Sequence, residues 1–338
     1  MKPELHNALI NSSRILVVNT GNASEAFLSY SFCQNLKEEY PDTEITFFTS
    51  EAIKSLSKKI PCIDNYYYTE KYKQGLKSFL KKRSFDAVFF TRPTRNEAYA
   101  AYKAGIPIRF GSINRWYKVL FTSKINHNRK DGTKHETEYN LDFIRLVTGN
   151  EYRTNYIQPY LKPSLEKEWL SLLSAASINK KYILIYVANS DADTDWEAGN
   201  FGKLAKILSR KYNLPVVVYG TEHDALRCKR AEVETKAPLI IQEKLNIGKL
   251  AVAIKLAEIV LSNGNIAPHI AASFDVPSFS VYSNNSEWNV VRWRALNRAA
   301  SLSPLIPKDD SDEDFSTVNI ENAVRLCEDL LENKKSQL

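Results

Sequence analysis

The sequence predicts an α/β protein of two Rossmann-like domains, each built on a parallel sheet, facing one another across a cleft. Three observations predict it. Short apolar runs of strand character alternate with segments of helical period, and the alternation restarts after a proline-containing stretch near the middle of the chain. The 338 residues, 43% hydrophobic and 25% charged, are enough for two cores of ordinary size and too ordinary in composition for disorder.

In chain order, RILVVN (14–19) reads as a buried strand, and Leu28, Phe32 and Leu36, four residues apart, mark the helix that follows a polar turn. ITFFT (45–49) is a second strand, 50–59 a helix, YYYT (66–69) a short strand, 70–83 a basic helix and DAVFF (86–90) a buried strand. IPIRF (106–110) precedes a stretch rich in Arg, Lys and aromatic residues, and a helical segment at 136–148 stops at Thr148-Gly149-Asn150. Pro159 and Pro163 lie in a region without strand pattern, so the interdomain linker is placed at 159–180, after a first domain of 1–158. The rhythm then resumes with YILIYVA (182–188), a helix at 200–212, PVVVYG (215–220), helices at 222–234 and 246–256, EIVLSN (258–263), a helix from about 268 and SFSVY (278–282). These define a second domain at 181–318, and 319–338 closes the chain as an amphipathic helix.

A formal charge of +7 and a pI of about 9.0 favour acidic partners: nucleic acid, anionic lipid headgroups, phosphorylated glycans or nucleotide diphosphates. No nucleic-acid motif accompanies the charge, so nucleic-acid binding rests on charge alone and none is expected. Cys33, Cys62, Cys228 and Cys327 are scattered, with no metal-ligand spacing, and fit a reducing cytosol. The first residues hold no apolar signal region, and no segment has the roughly 18 apolar residues of a membrane span. The expectation is a cytoplasmic protein, touching the inner face of the membrane at most.

Several segments together resemble the family 9 glycosyltransferases, best known from the ADP-heptose:lipopolysaccharide heptosyltransferases. RILVVN leading to Ser24-Glu25 and a helix closing on Tyr40-Pro41-Asp42 is similar to the family's first strand, Gly-Asp pair and helix; KHETEYNLDFIRLVTG (134–149) resembles its Lys-His-rich helix. Asp195-Trp196, Asn200-Phe201 and Leu204-Ala205 resemble the element after the first strand of its second domain. The longest match is 249–283, which follows the family's order of helix, strand, Ser-Asn-Asp-(Thr/Ser)-Gly-x-x-His, helix and strand. The resemblance implies the GT-B fold and inverting, metal-independent transfer of a sugar from a nucleotide-diphosphate donor, with ADP-heptose the first choice. The acceptor it implies is an anionic glycan or glycolipid such as the lipopolysaccharide inner core. The nucleotide-sugar is a co-substrate and no cofactor is implied.

By that resemblance Glu25 takes the place of the catalytic base, since inverting transfer needs a carboxylate to receive the acceptor hydroxyl proton; the plainer alternative is an exposed acid favoured by the helix dipole. Donor contacts fall to His269, Asn263, Gly264, Asn265, Ser190, Thr194, Trp196 and Ser283, with the amides of 263–269 at a helix N-terminus suited to a diphosphate. Gly264 stands where the family carries an acid, Ile266 where it carries glycine, and Thr194 where it carries lysine. A glycine at 264 lets a phosphate approach the backbone closely. Asp191, Asp193 and Asp195 read as a solvated or helix-capping acidic loop more readily than as a metal site. Arg92, Arg95, Arg115, Lys118 and Lys124 are assigned to the acceptor, within a basic stretch that includes Arg109, Arg129, Lys130 and Lys134 and interleaves with Trp116, Tyr117 and Phe121. This patch suits carboxylates, phosphates or anionic lipid. Two rivals stay open: a transferase of the same fold using another nucleotide-sugar, and a catalytically silent glycan-binding module.

Overall fold

The computed structural model describes residues 2–57, 59–72, 75–187, 196–242, 246–282, 287–296 and 318–335. The chain divides into two compact units, Met1–Tyr160 and Leu161–Leu338.

The first unit begins with helix α1 (Pro3–Ile10) and then alternates: β1 (Arg14–Asn19), α2 (Ala23–Glu39), β2 (Glu44–Thr49), β3 (Asn65–Tyr68), α3 (Leu76–Arg83), β4 (Ala87–Arg92), α4 (Arg95–Ala104), β5 (Ile108–Ser112), β6 (Ser123–Ile125) and α5 (Glu136–Thr148). Its six strands run parallel in the order β3-β2-β1-β4-β5-β6. A parallel sheet is covered on both faces, which is why its strands read as continuous apolar runs. On one face Phe89 and Phe110, paired across β4 and β5, stack at 4.3 Å, and Phe32 of α2 and Phe143 of α5 meet them edge-on. On the other, Leu16, Val18, Val88 and Phe90 pack with Leu80, Ala98 and Ala101.

The second unit comprises α6 (Pro163–Ala175), β7 (Ile183–Tyr186), α7 (Ala198–Tyr212), β8 (Val216–Thr221), α8 (Ala225–Thr235), β9 (Leu239–Gln242), α9 (Ile247–Leu256), β10 (Ile259–Asn263), α10 (Ile266–Ser273), β11 (Ser278–Val281), the single turn α11 (Val290–Trp293) and α12 (Ile320–Lys335). Its strands are parallel in the order β11-β10-β7-β8-β9. Ile183, Ile185, Val218 and Leu261 pack with Phe201, Leu204, Leu208, Leu330 and Leu331 on one face. On the other, Trp169 of α6 donates to the Tyr182 hydroxyl at 2.8 Å, and that hydroxyl donates to the Ala253 carbonyl of α9.

In both sheets the order reverses at the first strand, between β1 and β4 and between β7 and β10. In doubly wound folds, ligands bind in the crevice outside the carboxyl ends of the strands at such a point. All four cysteines are free and buried, and burial pushes the Cys62 and Cys228 thiols up to about 12.

Three segments assigned in the sequence reading differ, and α1, α4, β6, β9 and α11 have no counterpart in it. Among the described residues of 50–59 only a 3-10 turn forms (Glu51–Ile53), and Lys59, at φ +57, takes the left-handed backbone that a right-handed helix does not contain. In 70–83 the helix starts at Leu76, after Gly75 at φ +86. The stretch assigned to a linker contains α6, whose first residue is Pro163 and whose Trp169 and Leu173 are buried.

Candidate functional site

The switch point of the first sheet holds a carboxylate and a guanidinium. Asn22 caps α2 and accepts from the Glu25 amide at 2.9 Å, while the Glu25 Oε2 accepts from the Asn22 amide at 2.9 Å, a reciprocal capping box. Arg92, at the end of β4 and in register with Asn19, places its Nε 2.8 Å from Glu25 Oε1. Glu25 is only 2% exposed, so the alternative of an exposed first-turn acid does not describe it. Gly21 is required by close approach: a Cβ there would stand 2.8 Å from Arg92 Cγ and collide with Glu25 Oε2.

A buried polar chain supports the pair. Asn19 donates to the Glu25 carbonyl and to the Ser29 hydroxyl, which Asn140 of α5 also reaches. Arg129 binds Glu136, the Asn140 side chain and the Thr91 carbonyl. Arg129 is therefore a framework residue rather than a member of an open basic patch. Arg109 is likewise engaged, with its guanidinium on the carbonyls of Ile106 and Leu120, and Lys134 is paired with Asp142 at 2.8 Å. Of the residues assigned to the acceptor, Arg92 is half-buried against Glu25, Arg115 is partly exposed, and Arg95, Lys118 and Lys124 are exposed.

At the second switch point β10 ends at Asn263, and Asn265 caps α10 by accepting from the Ala267 amide at 2.8 Å. Pro268 lies in the first turn of α10, and His269 directly follows it, buried. The close phosphate approach expected beside Gly264 is not available on its Cβ side: the ring of Tyr282 lies there, and a Cβ would sit 2.4 Å from Tyr282 Cδ1. Glycine at 264 thus admits an aromatic ring. Ile266 is a buried helical residue with no left-handed backbone.

Beside these residues a cavity of about 210 Å³ opens at the ends of β7 and β10, lined by Val187, Trp196, Glu197, Ala198, Arg227, Arg230 and Asn263. Trp196 is buried against Phe201 and Phe279, and its indole N–H has no hydrogen-bond partner among the described residues. Arg227 and Arg230, three residues apart and therefore on one side of α8, were not singled out in the sequence. Their signal is faint: two cations in the first two turns of the helix after a central strand. Two guanidiniums, an indole donor and an amide suit an anionic ligand. Ser190, Thr194, Ser283 and the Asp191, Asp193, Asp195 run lie outside the described residues. Among the described residues, no helix is long and apolar enough to cross a membrane.

The sequence profile of glycosyltransferase family 9 (heptosyltransferase) matches residues 75–314. The chain is 22% identical over 296 residues to the lipopolysaccharide core heptosyltransferase OpsX of Haemophilus influenzae, covering 80% of this chain and 78% of that one. Its fold is similar to that of the family 9 glycosyltransferase of Veillonella parvula, with TM-score 0.81 and 17% identity over 94% of this chain and 97% of that one. It is also similar to E. coli ADP-heptose lipopolysaccharide heptosyltransferase II, with TM-score 0.78 and 14% identity over 95% and 99% of the two chains. The fold is accordingly that of the GT-B glycosyltransferases, two doubly wound α/β units in one chain. Within that class, the chain belongs to glycosyltransferase family 9, the heptosyltransferases.

Proposed function

We propose that the protein is an inverting heptosyltransferase that moves heptose from ADP-heptose to a hydroxyl of the lipopolysaccharide inner core at the cytoplasmic membrane face. The observation that carries this reading is the Glu25 carboxylate, buried, helix-capped and bound to Arg92 at the switch point of a family 9 chain. In this reading the acceptor hydroxyl gives its proton to Glu25 as its oxygen attacks the anomeric carbon from the face opposite the leaving group, and the configuration inverts. Arg92, Arg95, Arg115, Lys118 and Lys124 provide the positive field for the carboxylates and phosphates of such an acceptor.

The departing nucleoside diphosphate takes its stabilisation from Arg227, Arg230, His269, the Asn263 and Asn265 side chains and the first amides of α10. These cations stand in for the motif lysine that this sequence replaces with Thr194, and no metal ion enters the step. The relatives support the donor: one solved structure of similar fold is an ADP-heptose-dependent enzyme by name, and the curated relative is a lipopolysaccharide core heptosyltransferase. A second reading, a different nucleotide-sugar in the same fold, is favoured by the Tyr282 ring beside Gly264, which occupies the space of the family's acid.

Thermal unfolding of the purified chain with ADP, UDP, GDP and CMP, with and without magnesium, tests the donor. A metal-independent rise in Tm with ADP is expected, since a ligand that binds the folded state raises its apparent stability. A rise with UDP or GDP alone moves the protein to the second reading; no rise with any of them leaves a glycan-binding module. Glu25→Gln should keep the ADP shift and lose transfer by a factor of about 100 or more, the range of a removed general base.

A further inference from the structure

Residues 87–130 contain nine Lys or Arg residues and one carboxylate, Glu97. That carboxylate is buried, accepting from the Thr94 amide and the Thr20 hydroxyl. On α4, Arg95, Tyr99, Tyr102 and Lys103 recur at the spacing of one helical face, and all four are exposed. Lys103 Nζ lies 5.5 Å from the Tyr99 ring centroid and 5.7 Å from that of Tyr102.

The connection from β5 to β6 adds the other half of this surface. Trp116 and Val119 are 75% and 79% exposed, more than any other large apolar side chain among the described residues. The Arg95 guanidinium sits 5.0 Å from the Trp116 ring centroid, which ties the connection to α4; in sequence Arg115 directly precedes Trp116 and Lys118 directly precedes Val119. Exposed Trp and Val cost solvation free energy in water, and nothing in their own unit covers them. Side chains so exposed project from the surface instead of lining a groove, and a fluid lipid surface receives such projections without needing a matching shape. Cationic heads on apolar stems and an indole are the groups that rest at the boundary between headgroups and acyl chains. The near absence of acidic side chains favours anionic headgroups over zwitterionic ones.

We propose that Trp116 and Val119, with Arg95 over the indole and Arg115 and Lys118 adjacent in sequence, dock the protein on an anionic phospholipid surface, with the two apolar side chains entering the headgroup layer. This docking is independent of the donor and needs no glycan. The test is co-sedimentation of the full chain with glycan-free vesicles of phosphatidylcholine, with and without phosphatidylglycerol. The chain should bind only the vesicles containing phosphatidylglycerol, and less as salt rises. The Trp116→Ser, Val119→Ser double variant should bind them about tenfold more weakly, the effect of partly burying two such side chains, while keeping the Tm of the parent and its shift with ADP.

Equal binding by parent and variant would overturn the proposal, as would failure of the parent to bind. Binding only to vesicles that carry lipopolysaccharide would also overturn it, assigning the face to the acceptor alone. The ADP shift is read in the absence of vesicles, so loss of the donor reading and loss of the docking reading give different results.

Discussion

Glu25 accepts from the Asn22 amide through one carboxylate oxygen and faces Arg92 with the other, so the position of its side chain is set from both α2 and β4. Gly21→Ala tests this without altering any charged group. The new methyl displaces the carboxylate and opens the capping box, at a cost of roughly 1 kcal/mol in stability, while transfer falls by a factor of about 100. Thermal unfolding and a transfer assay on the same variant read the two effects; a variant with full transfer would show that the carboxylate position is immaterial. At this scale the sequence was legible one residue at a time. Glu25 follows β1 and Arg92 ends β4, where functional side chains of such folds collect, yet their contact is tertiary and leaves no local trace. Arg109, Arg129 and Arg115 look alike in a basic stretch, but two of them end on buried carbonyls or a buried glutamate. Arg227 and Arg230 were hidden by the opposite circumstance, since cations on a mostly polar helix read as solvated surface.

Helix α5 is held partly by His127, buried against Tyr139 and Phe143 with its Nε2 3.5 Å from Asp142. Burial outweighs the nearby carboxylate and pushes the imidazole down to about 4 from its usual 6.5. Asp142, despite the penalty of its own burial, is held well below the usual carboxylate range by the His127 Nε2 at 3.5 Å and by hydrogen bonds from Lys134 and Arg145. Between those two values of His127 the unfolded chain binds a proton that the folded chain refuses. Stability is thus complete above about pH 6.5 and falls as the pH drops toward 4, by on the order of 3 kcal/mol. Urea unfolding across that interval should show the slope, and His127→Asn should flatten it. Among elements, the long buried strands were legible because a covered parallel sheet writes continuous apolar runs. β6, only Ser123–Ile125, and β9 (Leu239–Gln242) were not: they are short edge strands, and β6 sits among basic residues. α6 was obscured by Pro159 shortly before it and by Pro163, which is its first residue.

For the whole molecule, the doubling of the α/β rhythm was visible in the sequence, while the two switch points emerge only from strand order. Each unit has its own core and two buried thiols, Cys33 and Cys62 in the first, Cys228 and Cys327 in the second. In native buffer no thiol should react with a maleimide. In a urea series, ADP should raise the midpoint at which Cys228 and Cys327 become labelled and leave that of Cys33 and Cys62 in place, as read by peptide mass spectrometry. Joint movement of all four would mean that the units unfold as one body.

The Glu25 and Arg92 pair lies entirely within Met1–Tyr160, and the arginine-lined cavity entirely within Leu161–Leu338. Each constellation is therefore encoded in one continuous half of this sequence. Recombination near residue 160 would exchange one constellation without dismantling the other; on the proposed function, the choice of sugar donor and the choice of glycan would then diverge along separate lines of descent.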